Sequence, residues 1–213
     1  MRKIWFPVLA LLVFAVPPAS AQKPSAPTAS PADMARLLAV GPDDRVLGKT
    51  DAPITIVEYA SLTCPHCRHF EVDVLPKLKE KWIDTGKAKL VLRDFPLDEA
   101  ALRAAMVARC APPDRYYPFV DTLFKSQEEW GTTRDYKTAL QRIAQLGGMN
   151  KKDFTACIDN KAGENKVVES RFIAAEKLGV ESTPSFFVNG TKFNGAPTFE
   201  AFDQQLSSLA PKS

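Results

Sequence analysis

The hydrophobic pattern of the first third of the chain predicts a strand, a helix and a second strand. Residues 54–60 (ITIVEYA) are β-branched and almost continuously apolar, which is typical of a strand covered on both faces. Apolar residues then recur at helical spacing from Cys67 to Trp82. Pro76 lies inside this pattern and is expected to kink the helix. Residues 88–93 (AKLVLR) form the second predicted strand and complete a β-α-β unit.

The pattern then becomes helical for about 80 residues before strands return. Five helices are predicted in this block, at 97–110, 115–126, 134–146, 151–159 and 163–178. The remaining predicted elements are a strand at 185–188, a hairpin turn at Asn189-Gly190, a return strand at 191–194 and a helix at 198–209. The order β-α-β, helical block, β-β-α predicts an α/β fold with an all-helical insertion.

The N-terminal residues 1–21 have the pattern of a secretory signal peptide. Two basic residues precede an apolar run at 4–16, and the small-residue triplet 19–21 follows. The run is shorter than the about 20 residues that span a bilayer, which disfavours the alternative of a membrane anchor. We therefore expect cleavage after Ala21 and export to the periplasm.

Composition and charge exclude several classes of protein. Hydrophobic residues make up 45% of the chain and charged residues 25%, as in ordinary globular proteins. Residues 22–44 are rich in proline and alanine and predict a flexible leader. Loss of Arg2 and Lys3 with the signal peptide lowers the formal charge from +3 to +1. A nearly neutral surface gives no electrostatic case for binding a nucleic acid.

Four cysteines in an exported protein favour two disulfides, for which three pairings are possible. The short separation of Cys64 and Cys67 favours a local pair, which leaves Cys110 and Cys157 for a structural disulfide. That second bond would close about 47 residues and stabilise the fold by about 4 kcal/mol. The alternative is that Cys110 and Cys157 are buried free thiols.

The motif Cys64-Pro65-His66-Cys67 follows a predicted strand and opens a predicted helix, which is a context for redox chemistry. Unpaired N–H groups at a helix N-terminus favour the thiolate of Cys64, and a protonated His66 adds positive charge. A stabilised reduced form makes the disulfide a stronger oxidant, so Pro65 and His66 are candidate tuning residues. We expect Cys64 to be the exposed nucleophile and Cys67 to resolve mixed disulfides. The alternative is an inert disulfide that staples the helix.

The chain resembles the DsbA-like branch of the thioredoxin superfamily. The resemblance is carried by YASLTCPHC after a strand, by the helical insertion and by GVESTPSFFVNG before the hairpin, and it covers about 45–209. It implies a thioredoxin fold, with a thioredoxin-like domain made of residues 45–96 and 180–213. The helical insertion then occupies residues 97–179.

The resemblance also implies roles for three further residues. The Thr183-Pro184 bond is expected to be cis and to face the redox cysteines, with the backbone of Thr183 pairing with substrate peptide. Glu58, six positions before Cys64, is expected beneath the disulfide as a proton shuttle. The alternatives are a trans proline at a strand edge and a Glu58 that pairs with a cation such as Arg93.

The sequence thus predicts a periplasmic thiol:disulfide oxidoreductase, a protein dithiol oxidase that donates its Cys64–Cys67 disulfide to reduced, unfolded exported proteins. By resemblance, a DsbB-like quinone-linked membrane protein reoxidises the pair, and no separate cofactor is needed. Only residues 22–44 precede the core, too few for the dimerisation domain of related isomerases, so a monomer is expected. The alternatives are a disulfide isomerase or reductase and a soft-metal protein that binds Zn or Cu(I) through the two cysteines.

Overall fold

The computed structural model describes Met1 and residues 29–210 of the chain. The predicted signal peptide (1–21), the first part of the predicted leader (22–28) and the last three residues (211–213) lie outside the described residues. None of the helices between residues 29 and 210 has the length and the apolar character that a membrane crossing requires.

The described chain alternates between short strands and a long run of helices. The strands are β1 Val46–Leu47, β2 Ile54–Ala60, β3 Ala88–Asp94, β4 Ser185–Val188 and β5 Thr191–Lys192. The α-helices are α1 Pro31–Leu38, α2 Pro65–His69, α3 Leu75–Leu78, α4 Glu99–Cys110, α5 Tyr116–Lys125, α6 Gln127–Trp130, α7 Tyr136–Leu146, α8 Lys151–Ile158, α9 Lys161–Leu178 and α10 Phe199–Leu209. Each of the five helices predicted between residues 97 and 179 is present, with ends within two residues of the prediction.

The strands form one mixed sheet in the order β1-β3-β2-β4-β5 within the described residues. β2 runs parallel to β3, and the other neighbouring strands are antiparallel. β2 is therefore central, and its Glu58 is opposite Leu92 of β3 and Phe186 of β4. Because β4 runs against β2, the start of β4 lies beside the end of β2, where the redox motif begins.

The two faces of the sheet carry two separate hydrophobic cores. One face packs against α2, α3 and α10, where Phe70 lies 4.5 Å from Phe186 and Phe193 stacks on Phe202 at 4.2 Å between ring centroids. The other face packs Tyr59 and other apolar residues of β2 and β4 against α1 and α9. Burial on both faces explains why residues 54–60 are almost continuously apolar.

The helical segment after the redox motif changes its winding around Pro76. π-helical stretches at Phe70–Val74 and Lys79–Ile83 alternate with α2 and α3. The N–H group of Leu75 donates to the carbonyl of Phe70, five residues earlier, immediately before the proline. The wider turn accommodates a residue that has no N–H group to continue the helix.

The predicted flexible leader is wrong for residues 31–38, which form helix α1. Ser30 accepts a hydrogen bond from the N–H group of Asp33 at 3.2 Å, and Pro31 occupies the first helical position. These are ordinary signals of a helix start. The helix persists because Leu38 is buried in the second core, a contact that its own sequence does not reveal.

Arg93 holds the segment after α1 against the sheet. Its guanidinium donates to the carbonyl of Leu37 at 2.6 Å and to both carboxylate oxygens of Asp44, at 3.0 and 2.8 Å. Arg93 is in register with Tyr59, so it does not face Glu58, whose side chain lies on the opposite side of β2. The alternative pairing of Glu58 with Arg93 is therefore wrong.

Cys110 and Cys157 form a disulfide between the C-terminus of α4 and α8, with their Cα atoms 6.1 Å apart. The bond joins two helices that are separated by 47 residues in the sequence. It therefore fixes the helical block internally and does not involve the redox motif.

Replacing Cys110 and Cys157 together by alanine is expected to lower the free energy of unfolding by about 4 kcal/mol, because the unfolded chain loses a long covalent loop. Thermal unfolding followed by circular dichroism measures the loss as a lower Tm. The ionisation of Cys64 is the internal control and should not change. An unaltered Tm would contradict a stabilising role of the disulfide.

Candidate redox site

Cys64 and Cys67 lie where β2 gives way to α2, and both are free thiols. Cys64 is the N-cap residue of α2, and Cys67 is in its first turn. Their exposed fractions are 5% and 0%, so the expectation of an exposed Cys64 is wrong in degree. The loop before β4 covers the sulfur. The contact is a hydrogen bond from the Cys64 thiol to the carbonyl of Thr183 at 3.3 Å.

The surroundings of Cys64 stabilise its thiolate. A hydrogen bond from the Cys67 thiol is the largest influence, and the total effect lowers the pKa of Cys64 from 9.0 to about 5. The Thr183 hydroxyl and the N–H groups of Cys67 and His66 act in the same direction, against the opposing effect of burial. Cys64 closes no capping hydrogen bond of ordinary geometry, so these N–H groups act as aligned dipoles at the helix N-terminus.

Cys67 has the opposite electrostatic environment. Burial raises the pKa of its thiol far above the ordinary range, and the hydrogen bond to Cys64 and the charge of Glu58 raise it further. The two sulfurs therefore differ in kind: Cys64 is favoured as an anion and Cys67 as a neutral thiol. Cys64 can therefore attack, or leave, as a thiolate. Cys67 must exchange a proton when its bond to another sulfur forms or breaks.

The loop before β4 places Thr183 and Pro184 next to the redox pair. The Thr183-Pro184 peptide bond is cis. Thr183 is 8% exposed, and its hydroxyl has no hydrogen-bond partner among the described residues. That hydroxyl is near enough to the sulfur to lower the pKa of Cys64.

Glu58 lies on the face of β2 that carries the redox core, together with a second acid, Glu71. Glu58 is fully buried and Glu71 is 6% exposed, and neither finds a cation among the described residues. Burial, followed by the charge of Glu71, raises the pKa of Glu58 well above its usual value, and burial raises the pKa of Glu71 as well. Two buried carboxyl groups that act on each other without a cation resist ionising together, so the protonated form is favoured in this pair.

Sequence reasoning missed Glu71 and Gln127 as members of the site. Glu71 is four residues after Cys67 and thus on the same helix face, which is a signal that was available. Gln127 comes from α6, where its side-chain amide donates to the carbonyls of Leu62 at 2.8 Å and Cys64 at 3.0 Å. No local pattern connects α6 with the redox motif.

Pro65 and His66 lie on the outer side of the motif, and both are exposed. His69 is also exposed and pairs with Asp73 at 2.8 Å, away from the sulfurs. In the part of the chain that the structure describes, no three His, Cys, Asp or Glu side chains are grouped as a metal site requires.

Comparisons with known proteins agree with this geometry. The sequence pattern of the thioredoxin family matches residues 41–208. A Rickettsia bellii protein named as a protein-disulfide oxidoreductase is 38% identical over 152 residues, which cover 70% of this chain and 58% of that protein. A Bacillus cereus protein named as disulfide bond formation protein D is 32% identical over 174 residues, covering 78% of each. The crystal structure of alpha-DsbA1 from Wolbachia pipientis is 38% identical with a TM-score of 0.78, covering 83% of this chain and 95% of that one.

The chain spans a little over half the length of the rickettsial relatives, at 55–58% of each of the first three. The match to the family pattern nevertheless extends over most of the described residues, and the likeness to alpha-DsbA1 covers nearly the whole of that structure. The chain therefore belongs to the thioredoxin superfamily, in its DsbA-like branch.

Proposed function

We propose that the protein is a periplasmic protein dithiol oxidase, which donates a Cys64–Cys67 disulfide to thiols of reduced, unfolded exported proteins. The observation that carries the proposal is the contrast between the two sulfurs: the pKa of Cys64 is lowered to about 5, whereas that of Cys67 is raised. A disulfide whose reduced form gains a stabilised thiolate is an oxidant. The names of the bacterial relatives support this activity.

The proposed reaction consists of two thiol–disulfide exchanges. A substrate thiolate attacks the Cys64 sulfur of the oxidised pair, the Cys64–Cys67 bond breaks, and Cys67 leaves and takes up a proton. A second substrate thiolate then attacks the substrate sulfur of the mixed disulfide, and Cys64 leaves as a stable thiolate. Two electrons pass from the substrate dithiol to the cysteine pair, and the substrate departs with a disulfide.

Glu58 is the proposed proton donor to Cys67 when that sulfur leaves. The carboxyl is buried, and in its ionised form it raises the pKa of the Cys67 thiol, so the two groups interact. Burial raises the pKa of Glu58 and so favours its protonated form, which could supply a proton where water is excluded. Glu71, whose charge raises the pKa of Glu58, is proposed to hold the proton in turn.

The backbone of Thr183 is the proposed docking point for an extended substrate segment. Its carbonyl lies against the Cys64 sulfur, and Pro184 leads directly into β4. A substrate strand that binds at this position would bring its own cysteine next to Cys64. His66, exposed beside the motif, is proposed to add positive charge that favours the thiolate.

Continued turnover needs an acceptor for the two electrons left on the cysteine pair. We propose a DsbB-like membrane protein that passes them to a quinone, in keeping with the periplasmic address that residues 1–21 predict. The protein is proposed to act as a monomer. Its equilibrium potential against glutathione separates this direction of electron flow from that of an isomerase or reductase.

The oxidised protein is expected to form a disulfide in a peptide that carries two cysteines, with one peptide oxidised for each protein molecule. Mass spectrometry of the peptide and thiol counting on the protein measure both halves of the exchange. Cys64→Ser should abolish the transfer, because the disulfide with Cys67 can then no longer form.

Cys67→Ser provides the matched control, since it keeps Cys64 but cannot form the internal disulfide. It should accumulate a mixed disulfide with an oxidised peptide. Retention of transfer by Cys64→Ser, or one metal ion bound per reduced chain without any transfer, would reject the oxidase.

The thiolate absorbance of the reduced protein is expected to titrate near pH 5, the pKa of Cys64. Because this folded-state pKa is lowered from 9.0, the reduced protein should gain stability as the pH rises from about 5 to about 9 and lose it as the pH falls through 5. The oxidised protein has no such thiol and should lack this pH dependence. Denaturant unfolding of both forms measures the difference.

His66→Ala tests the origin of the low pKa of Cys64. An imidazolium at this position would favour the thiolate, so its removal is expected to raise the pKa of Cys64 and make the pair more reducing, by about 30 mV for each pKa unit. A potential that moves while the pKa of Cys64 stays fixed would show that His66 acts on the disulfide form. A titration of Cys64 near 8.5 in the wild type would contradict the proposed nucleophile.

Glu58→Gln is expected to stabilise the oxidised protein increasingly as the pH rises above about 4.5. The folded pKa of Glu58 is raised, so the unfolded chain releases a proton that the folded protein keeps, and wild-type stability falls with pH. The slope is at most about 1.4 kcal/mol per pH unit for one proton. The same variant should slow disulfide donation, because glutamine cannot supply a proton to Cys67.

Urea unfolding of wild type and Glu58→Gln between pH 4 and 8 measures this difference. Glu128→Gln, which changes an exposed acid of α6, is the control and should follow the wild-type pH profile. Parallel profiles for Glu58→Gln and the wild type would show that Glu58 ionises as freely in the folded protein as in the unfolded chain.

A further inference from the structure

Gln127 connects the helical block to the backbone of the redox motif. It begins the four-residue helix α6, and its side chain is 5% exposed. Its amide nitrogen donates two hydrogen bonds, to the carbonyl of Leu62 at 2.8 Å and to the carbonyl of Cys64 at 3.0 Å. A glutamine amide has two N–H donors, so both are used on this one segment.

The carbonyl of Cys64 is a structural junction of the motif. It also accepts the N–H group of Arg68 at 3.1 Å, which is the first hydrogen bond of α2. Pro65 follows and has no N–H group of its own, so the peptide unit between Cys64 and Pro65 is oriented only through its carbonyl. Gln127 therefore supports the peptide unit from which α2 begins.

The orientation of this carbonyl decides where the sulfur of Cys64 lies. Cys64 has the extended conformation of an N-cap residue, with φ −79° and ψ 122°. The angle ψ sets the direction of the carbonyl and of the helix that follows, relative to the Cys64 side chain. A change in ψ would move the sulfur away from the N–H groups of His66 and Cys67, which favour its thiolate.

The site offers little to replace Gln127. Leu62 and Cys64 are 4% and 5% exposed, so water has poor access to the two carbonyls. Without Gln127 the Leu62 carbonyl would lose this donor and the Cys64 carbonyl one of its two donors, and a buried carbonyl without a donor favours a rearrangement of the loop. The side-chain bond from Thr63 to Asp98 at 2.7 Å does not reach these carbonyls, and without Gln127 the Cys64 carbonyl would keep the N–H group of Arg68.

We propose that Gln127 is a positioning residue of the redox site, which holds the Cys64 sulfur over the N–H groups at the start of α2 through the Leu62 and Cys64 carbonyls. The proposal rests on the proposed function, because it assigns to the helical block a share in the reactivity of Cys64. The titratable groups acting on that sulfur are Cys67 from α2 and Glu58 from β2, together with the proposed contribution of His66, and none of them is altered when Gln127 is replaced.

Gln127→Met tests the proposal, because methionine has a similar length but no N–H donor. The thiolate of Cys64 in the reduced variant should titrate about one pH unit or more above the wild type, which is about tenfold less thiolate at a given acidic pH. The equilibrium constant with glutathione should shift by a similar factor towards the disulfide, making the pair more reducing.

Trp130→Phe is the matched control within the same short helix. It removes a buried donor of the same kind, since the indole N–H of Trp130 donates to the carbonyl of Leu123 at 2.8 Å. This bond does not touch the redox motif, so the titration of Cys64 should stay at its wild-type position. An equal shift in both variants would overturn the proposal in favour of a general loosening of α6.

Gln127→Asn and hydrogen exchange keep the proposal testable if Gln127→Met does not fold. Asparagine keeps the amide but is shorter by one methylene group, so it cannot hold both carbonyls, and the pKa of Cys64 should rise by less than in the methionine variant. The N–H group of Arg68, which bonds to the Cys64 carbonyl, should exchange faster in either Gln127 variant than in Trp130→Phe.

An unchanged titration of Cys64 in a folded Gln127 variant overturns the proposal. The titration and the exchange rate are measured on the reduced protein without any substrate. They therefore decide the role of Gln127 even if the wild type transfers no disulfide, in which case the proposed function alone fails.

Discussion

A thiolate that is almost enclosed by protein is stable only where polar groups are already directed at it, and the placement of Cys64 meets this requirement. The residue stands between the end of β2 and the first turn of α2, where backbone N–H groups have no helical partner. The central position of β2 supplies the other neighbour, because antiparallel β4 begins beside the end of β2. The sheet order thus brings Thr183 to Cys64 across 119 residues of sequence.

The environment of Cys67 follows from the same strand seen one turn further into the protein. Glu58 and Glu71 provide no positive charge beneath Cys67, and burial keeps the pair from ionising freely. A sulfur anion at Cys67 is therefore disfavoured, whereas one at Cys64 is favoured. This contrast over a single helical turn would give the proposed thiol–disulfide exchange a direction.

The helical block is more than a cover for the sheet. Its disulfide between Cys110 and Cys157 ties α4 to α8, and its short helix α6 places Gln127 against the backbone of the motif. A rigid block and a precise hydrogen-bond donor are complementary, because a side chain can fix the position of a loop only when its own helix is held in place. The block thereby contributes a polar contact to the backbone of the candidate redox site.

The sequence by itself determined the elements whose signals are local. The β-branched run in β2, the change to helical spacing after residue 97 and the Asn189-Gly190 turn each have a fixed period or a fixed backbone preference. Asn189 and Gly190 both adopt positive φ, at 46° and 81°, and connect β4 to β5 as the turn predicts. The redox motif was equally evident, because its chemistry depends on the adjacent residues Cys64 to Cys67.

Only the tertiary structure decided the contacts between segments that are far apart in the chain. Part of the predicted leader is a helix because Leu38 is buried in the second core. The loop before β4 covers Cys64, which the sequence predicted to be exposed. Gln127 reaches Leu62 across 65 residues, and no periodicity marks such a partner. A local pattern reports which face of an element is apolar, whereas the identity of the group that meets this face depends on how the whole chain packs.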